Sequence, residues 1–321
     1  MHRHQKTIKH SLKIRGQGLH TGENVEVTVH PRPIDFGIWF KRTDLGESSP
    51  ILAAAANVSD TTLATSIGWG PQKVGTLEHL LAALGGLGIN NILVEVKGPE
   101  IPIFDGSAEP WVNFLKAAGS QILNAPRPFY RVLKPLTLTD GDKFLAVEPA
   151  PNFSVDFTID FKGFVKVQKR RFKFSEGAFV TEISPARTFC SQKDVEALRA
   201  KGLALGGSLE NALVLGEDGY LNPEGPRFPD ECVRHKILDL IGDLTLAQTP
   251  ILGHFTAHKT GHAINQKILS ALLNEPGYLE KYDPRETIAK SAREFAVTLK
   301  PTLTPSLLGP DGPPLNPIFL N

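Results

Sequence analysis

Cysteine is scarce. Cys190 and Cys232 are the only two in 321 residues. They form no C-x-x-C pair, and two thiols cannot build a disulfide framework. A disulfide-stapled scaffold is therefore excluded, and a reducing compartment, the cytoplasm, is expected. An excess of one charge is also lacking: 35 Lys and Arg face 34 Asp and Glu. No overall basic field points to nucleic acid as a partner. The local run "KVQKRRFK" (Lys166 to Lys173) reads as the solvated face of a strand or hairpin. No apolar run approaches the ~20 residues of a membrane span, so no transmembrane segment is expected. The first residues, "MHRHQKTIKH", lack the apolar stretch of a signal peptide. What is present is a chain with 41% hydrophobic residues, enough to bury a core in about two domains of ~150 residues.

One order of elements occurs twice. The first half opens with strand-like text ("SLKIRG", "VEVTVHP", "GIWFK"). Its period then changes in "TLEHLLAALGGLG", where Leu77, Leu80, Leu81 and Leu84 follow the helical i, i+3, i+4, i+7 rule. Gly85, Gly86 and Gly88 are expected to end that helix. A strand "NNILVEV", a loop "KGPEIPIFDGSAEP" and a helix "WVNFLKAAG" follow. The second half repeats sheet, helix ("RHKILDLIGDL"), strand ("ILGHFTAH"), loop ("KTGHAIN") and helix ("QKILSALL"). This predicts an α+β fold of two tandem domains of similar topology, each a largely antiparallel sheet packed with helices. The domains are expected over 1–124 and 125–300, divided in "NAPRPFYR", where two prolines break both periodicities. An insertion at about 195–220 sets the second domain apart. A Pro-rich tail spans 301–321.

The helix "RHKILDLIGDL" carries an unusual polar set. At ~100° per residue, His235, Asp239 and Asp243 lie within ~80° of one another, opposite Val233, Ile237, Leu240, Ile241 and Leu244. A wet surface face would favour Lys and Glu, whereas mid-helix Asp has poor propensity. His and Asp at i, i+4 point the same way, as metal ligands must. The equivalent helix of the first half carries Glu78 and His79 off its leucine stripe. If these faces meet in a shared cleft, His79, His235 and Asp239 converge as three N/O ligands with a fourth position open, the catalytic zinc arrangement. Glu78 would then stand beside the attacking water. Cys232 shares the His235 side of its helix, and spacing does not exclude it as a ligand. His254 and His258 read as structural or surface histidines. For His262, before the last helix, structural and functional readings stay equally open. The macrodipole disfavours a cation there, so a catalytic acid at His262 would need a carboxylate, with Asp243 a candidate.

The stretches "TLEHLLAAL", "EIPIFDGSA", "SPARTF", "GLALGGSLENALV", "NPEGPRFPDECVRHKILDLIGDL" and "GHFTAHKTGHAIN" together resemble one family. It is the zinc-dependent UDP-3-O-acyl-N-acetylglucosamine deacetylase (LpxC) family of lipid A biosynthesis. The resemblance runs from about Lys6 to Val297 and shows no departure at the catalytic positions. It implies His79, His235 and Asp239 as zinc ligands, Glu78 as general base, and His262 with Asp243 as acid or electrostatic partner. It implies Thr188 as oxyanion stabiliser. Phe189, Lys236 and His20 would be substrate contacts, Lys236 towards the nucleotide phosphates. The stretch Leu203 to Leu215, with Gly207, would form a hydrophobic passage for the acyl chain. Cys232 is not a ligand in that family. Zn2+ is the implied cofactor, with Fe2+ open because a His/His/Asp site is not strictly selective. The implied partner is a UDP-linked acylated glucosamine whose N-acetyl amide is hydrolysed. Two other readings stand beside it: a zinc amidohydrolase acting on another acylated sugar, and a non-catalytic tandem-repeat binding module. A monomer is expected, although the sequence does not encode the oligomeric state.

Overall fold

Alternation sets the sheets. In Asn24–Pro31, Val25, Val27 and Val29 are buried while the residues between them are less so, the period-two signature of a strand with one face on the core. Ile38 and Phe40 repeat the pattern in Ile38–Arg42. Five strands line up in the order Leu12–Gln17, Asn24–Pro31, Ile92–Lys97, Ile38–Arg42, Ile51–Leu52. All neighbours are antiparallel except Ile92–Lys97 beside Ile38–Arg42. The second five-stranded sheet has the order Leu136–Asp140, Lys143–Glu148, His254–His258, Ser154–Asp160, Val167–Lys173. Its single parallel pair, His254–His258 beside Ser154–Asp160, falls at the same place. In each half the later strand, reached after a helix, inserts at the centre. The two halves thus share one topology, and the fold is α+β.

This computed structural model describes residues 4–161 and 165–286. The expected tail, 301–321, and the last stretch of the second half, 287–300, lie outside the described residues. Those described up to Asp283 form one compact unit. The strand His4–Ile8 pairs with Ser120–Pro126. The next strand, Phe129–Val132, turns to Ile251–Leu252 and Leu279–Tyr282.

Six α-helices lie wholly within the described residues: α1 (Glu78–Leu87), α2 (Glu109–Ala117), the single turn α3 (Glu176–Ala178), α4 (Gln192–Ala200), α5 (Glu231–Thr245) and α6 (His262–Asn274). The stripe Leu77, Leu80, Leu81 and Leu84 is fully buried. Only Gly88 ends α1, in the left-handed conformation, which glycine adopts without steric cost. Gly85 and Gly86, expected to help stop the helix, lie inside it. A Cβ at Gly86 would strike the Phe179 ring and one at Gly85 the Thr245 hydroxyl, so both are there for close packing. The π-turn Phe179–Ile183 that follows α3 supplies that ring. α4, in the insertion, is not among the elements that periodicity predicts. A capping box, Ser191 with Asp194, starts it, and its polar text hides any apolar stripe.

α1 and α5, the equivalent helices of the two halves, pack directly on each other. Gly242 makes the approach close: a Cβ there would land on the Glu78 carbonyl. α5 is therefore covered on both sides. His235, Asp239 and Asp243 are 2%, 2% and 1% exposed, so the polar face is not a wet surface. Buried polar and charged groups are costly unless partnered, and their partners define the site.

Candidate active site

The first turn of α1 brings Glu78 and His79 against the polar face of α5. One pocket is lined by Glu78, His79, Thr188, Phe189, His235, Lys236, Asp239 and His262. The metal-ligating atoms of His79, His235 and Asp239 lie within 4.8 Å of one another, and all three residues are buried. The two imidazoles meet edge to face, with ring centroids 5.0 Å apart. His235 Nδ1 donates to the Ala186 carbonyl at 3.0 Å, which turns Nε2 towards Asp239. Asp239 Oδ2 accepts from Lys236 Nζ at 2.6 Å. Its Oδ1 lies 3.3 Å from His235 Nε2 and is buried without a hydrogen-bond partner. Burial, reinforced by His235, pushes the His79 pKa down to about 3, so its ring is neutral, as a ligand must be. Burial alone would raise Asp239, but Lys236 and His235 outweigh it and hold the carboxyl well below its usual range. Two bare imidazole nitrogens and an unpartnered carboxylate oxygen fit a divalent cation. Cys232 is not in this cluster, and burial pushes its thiol up to about 12.

Two titratable groups with shifted pKa values flank the triad. Burial raises the Glu78 carboxyl to about 7, partly offset by His262 and reinforced by Asp239. His262 is the first residue of α6 rather than part of the preceding loop. Its Nδ1 donates to Asp243 Oδ2 at 2.8 Å. Burial would lower the imidazole, but Asp243 outweighs it and raises the pKa to about 10. The carboxylate thus overrides the adverse end of the helix dipole. Asn265 Nδ2 also donates to Asp243 Oδ2, at 2.8 Å.

One residue that the motifs do not single out ties these groups together. The Thr65 amide donates to Glu78 Oε2 at 2.9 Å, and its hydroxyl donates to Asp243 Oδ1 at 2.6 Å. Thr65 is 1% exposed. It stands in "DTTLATS", which by composition reads as a polar turn. Lys143 and Asp140 also line the pocket, yet in sequence they are only the ends of a hairpin turn.

Thr188 is fixed through its backbone: its amide donates to Gly106 O at 2.7 Å, and its carbonyl accepts from Leu213 N at 2.8 Å. The preceding Arg187 forms a buried ion pair with Glu231 of α5 at 2.9 Å. A second, larger groove runs under α4, lined by Leu198, Gly207, Leu209, Val214 and Leu215. It shares Leu19, Leu63, Thr188 and Phe189 with the triad pocket. His20 lies at the rim of that groove, and both its ring nitrogens are buried without partners. Leu203 instead faces a neighbouring groove with His20, Thr76 and Glu100. His254 bonds Ser154 and His258 stacks on Phe144, away from the triad. In the basic run, Arg170 pairs with Asp230 and Glu182, and Arg171 with Asp156.

A triad that could hold a metal, beside a carboxylate whose pKa sits near neutrality, fits hydrolases that couple a cation to a carboxylate base. Comparison with known proteins narrows this. The family model described as "LpxC: UDP-3-O-acyl N-acetylglycosamine deacetylase" matches residues 5–274. A UDP-3-O-acyl-N-acetylglucosamine deacetylase of Myxococcus xanthus is 47% identical over 277 residues, 86% of this chain and 88% of its own length. One from Acidithiobacillus ferrooxidans is 46% identical over 298 residues, 92% and 97% of the two chains. The chain belongs to the LpxC family of deacetylases. No helix among the described residues is long and apolar enough to cross a membrane.

Proposed function

We propose that this chain hydrolyses the N-acetyl amide of UDP-3-O-(3-hydroxyacyl)-N-acetylglucosamine, giving acetate and the free amine, the committed step of lipid A biosynthesis. The observation that carries this reading is the unpartnered Asp239 Oδ1, facing His235 and His79 in the same pocket as Glu78. We assign His79, His235 and Asp239 as ligands of Zn2+, with Fe2+ compatible with the same donors. When bound, the cation supplies Lewis acidity, polarising the amide carbonyl and acidifying water.

The chain's own residues do the rest. Glu78, with its pKa near 7, is matched to take the proton of the attacking water and return it. Thr188, held by two backbone hydrogen bonds, is the hydroxyl placed to share the developing oxyanion. His262, kept protonated by Asp243, stabilises negative charge and is the second donor for the leaving amine. The groove under α4 takes the acyl chain, with Gly207 in its wall and Leu203 on the neighbouring face. Phe189 contacts the substrate at the junction of the two cavities, and His20 does so from the rim of the groove. Lys236, which bonds Asp239 and lines the same pocket, is the cation assigned to the nucleotide phosphates. The same reading divides the chain into domains at 124/125, places the acyl passage in the 195–220 insertion and sets the enzyme to work as a cytoplasmic monomer.

The test is acetate release from the UDP-linked acyl sugar by the purified protein, before and after chelation and with Zn2+ restored. Release that chelation abolishes and zinc restores supports the assignment. Deacetylation only of other acylated sugars would replace the substrate while leaving the site intact.

A further inference from the structure

A further cavity lies on the other side of the α1/α5 pair. Its wall combines Ile38 and Ile89 from the first half with Phe153, Ile241, Leu244 and Ile251 from the second. On α5 these residues occupy the face turned away from His235, Asp239 and Asp243. Most polar groups in the wall are already engaged. Gln248 Oε1 accepts from the Ile38 amide and Nε2 donates to the Ala53 carbonyl. Thr245 Oγ1 donates to Ile241 O at 2.9 Å, and Asn90 Oδ1 accepts from the Lys6 amide at 2.7 Å.

Arg127 is the exception. It is the single charged residue of the wall, from the segment joining the two halves. Its Nε is buried without a hydrogen-bond partner, and no ion pair to it is formed among the described residues. Burial pulls its pKa down to about 10, so it stays a cation at neutral pH. The buried Arg42 and Arg187 each face a carboxylate, whereas half-buried Arg127 faces none among the described residues. A guanidinium with no carboxylate partner, its Nε enclosed at the edge of an apolar cavity, suits an anion with an apolar body, and a carboxylate matches the guanidinium fork in two parallel hydrogen bonds.

We propose that this cavity is a binding site for a carboxylate carrying a short apolar tail, with Arg127 holding the head group and the isoleucine and phenylalanine side chains the tail. The site is separate from the triad pocket and from the groove under α4, and it does not depend on the substrate assignment.

Four isoleucines, Ile38, Ile89, Ile241 and Ile251, line this cavity, and two others, Ile103 and Ile264, line the triad pocket. Methyl-labelling isoleucine in the full chain therefore separates the two sites in one spectrum. Titration with hexanoate should move the first four methyls saturably, whether or not hexanoate also enters the triad pocket and moves the other two. Hexylamine should move none of them. Arg127→Met should weaken hexanoate at least tenfold while leaving binding of 1-hexanol unchanged. The proposal is overturned if hexanoate shifts only Ile103 and Ile264, if it shifts nothing, or if hexylamine or 1-hexanol binds the wild-type cavity as well as hexanoate. The wild-type comparison of the three probes decides the matter even if Arg127→Met does not fold.

Discussion

Thr65 offers the sharpest test of how the site is held. Its hydroxyl satisfies Asp243 Oδ1, while Asp243 Oδ2 receives His262 and Asn265. Thr65→Val keeps the side-chain shape and the backbone amide on Glu78, but leaves a buried carboxylate oxygen without its donor. Losing a hydrogen bond to a buried charged group costs about 1.5–3 kcal/mol. If that cost is expressed as misplacement of Asp243 and its His262 partner, at ~1.4 kcal/mol per factor of ten, kcat falls ~10–100-fold. KM and metal content should stay near wild type, since Thr65 touches none of the three triad residues. Thr65→Ser separates positioning from packing. It removes one buried methyl, costing about 1 kcal/mol of stability, yet restores the donor. The assay is steady-state deacetylation with denaturant unfolding of both variants. The expected pattern is that serine loses stability and keeps kcat, while valine loses kcat. Turnover of Thr65→Val within about twofold of wild type, or a serine variant as slow as valine, would refute the linkage.

Four further outcomes follow from the same geometry. Glu78→Ala should keep its metal and lose ~10²–10⁴ in rate, as removal of a general base does; near-normal turnover would remove Glu78 from that role. His79→Ala and Asp239→Ala should each lower bound metal measured by elemental analysis, and full occupancy in both would overturn the ligand set. Gly242→Ala should push α5 off the first turn of α1, costing about 1–3 kcal/mol by overpacking and slowing catalysis; a denaturant midpoint equal to wild type would show that the helices have slack. For His262, the raised folded pKa fixes the sign. The ion pair with Asp243 stabilises the fold fully below pH 6.5, and that contribution is lost as pH rises towards about 10. Asp243→Asn should flatten this part of the stability profile and move the alkaline limb of kcat to lower pH, and an unshifted limb would argue against an imidazolium at His262.

The parts of this molecule legible in sequence were those encoded by period. The repeated order of sheet, helix and central strand follows from alternation and from the leucine stripe of α1, because each reports one face of one element. The polar stripe of α5 is legible for the same reason: three side chains four residues apart must share a side. Periodicity says nothing about what that side meets, and the residue that lets α1 meet it is Gly242, which has no side chain to betray a role. Gly85 and Gly86 misled as helix stops because glycine marks two opposite needs, a left-handed cap and a close approach. Only the tertiary neighbours, Thr245 and Phe179, distinguish them. Thr65 was illegible for a different reason. Its value lies in joining Glu78 to Asp243, which is 178 residues from Thr65 itself, and a threonine among threonines carries no local sign of that. Arg127 is the same case with a charge: within "NAPRPFYR" it looks like an ordinary linker residue beside two prolines. It is the packing of both halves around it that encloses its Nε and turns a cation towards an apolar cavity.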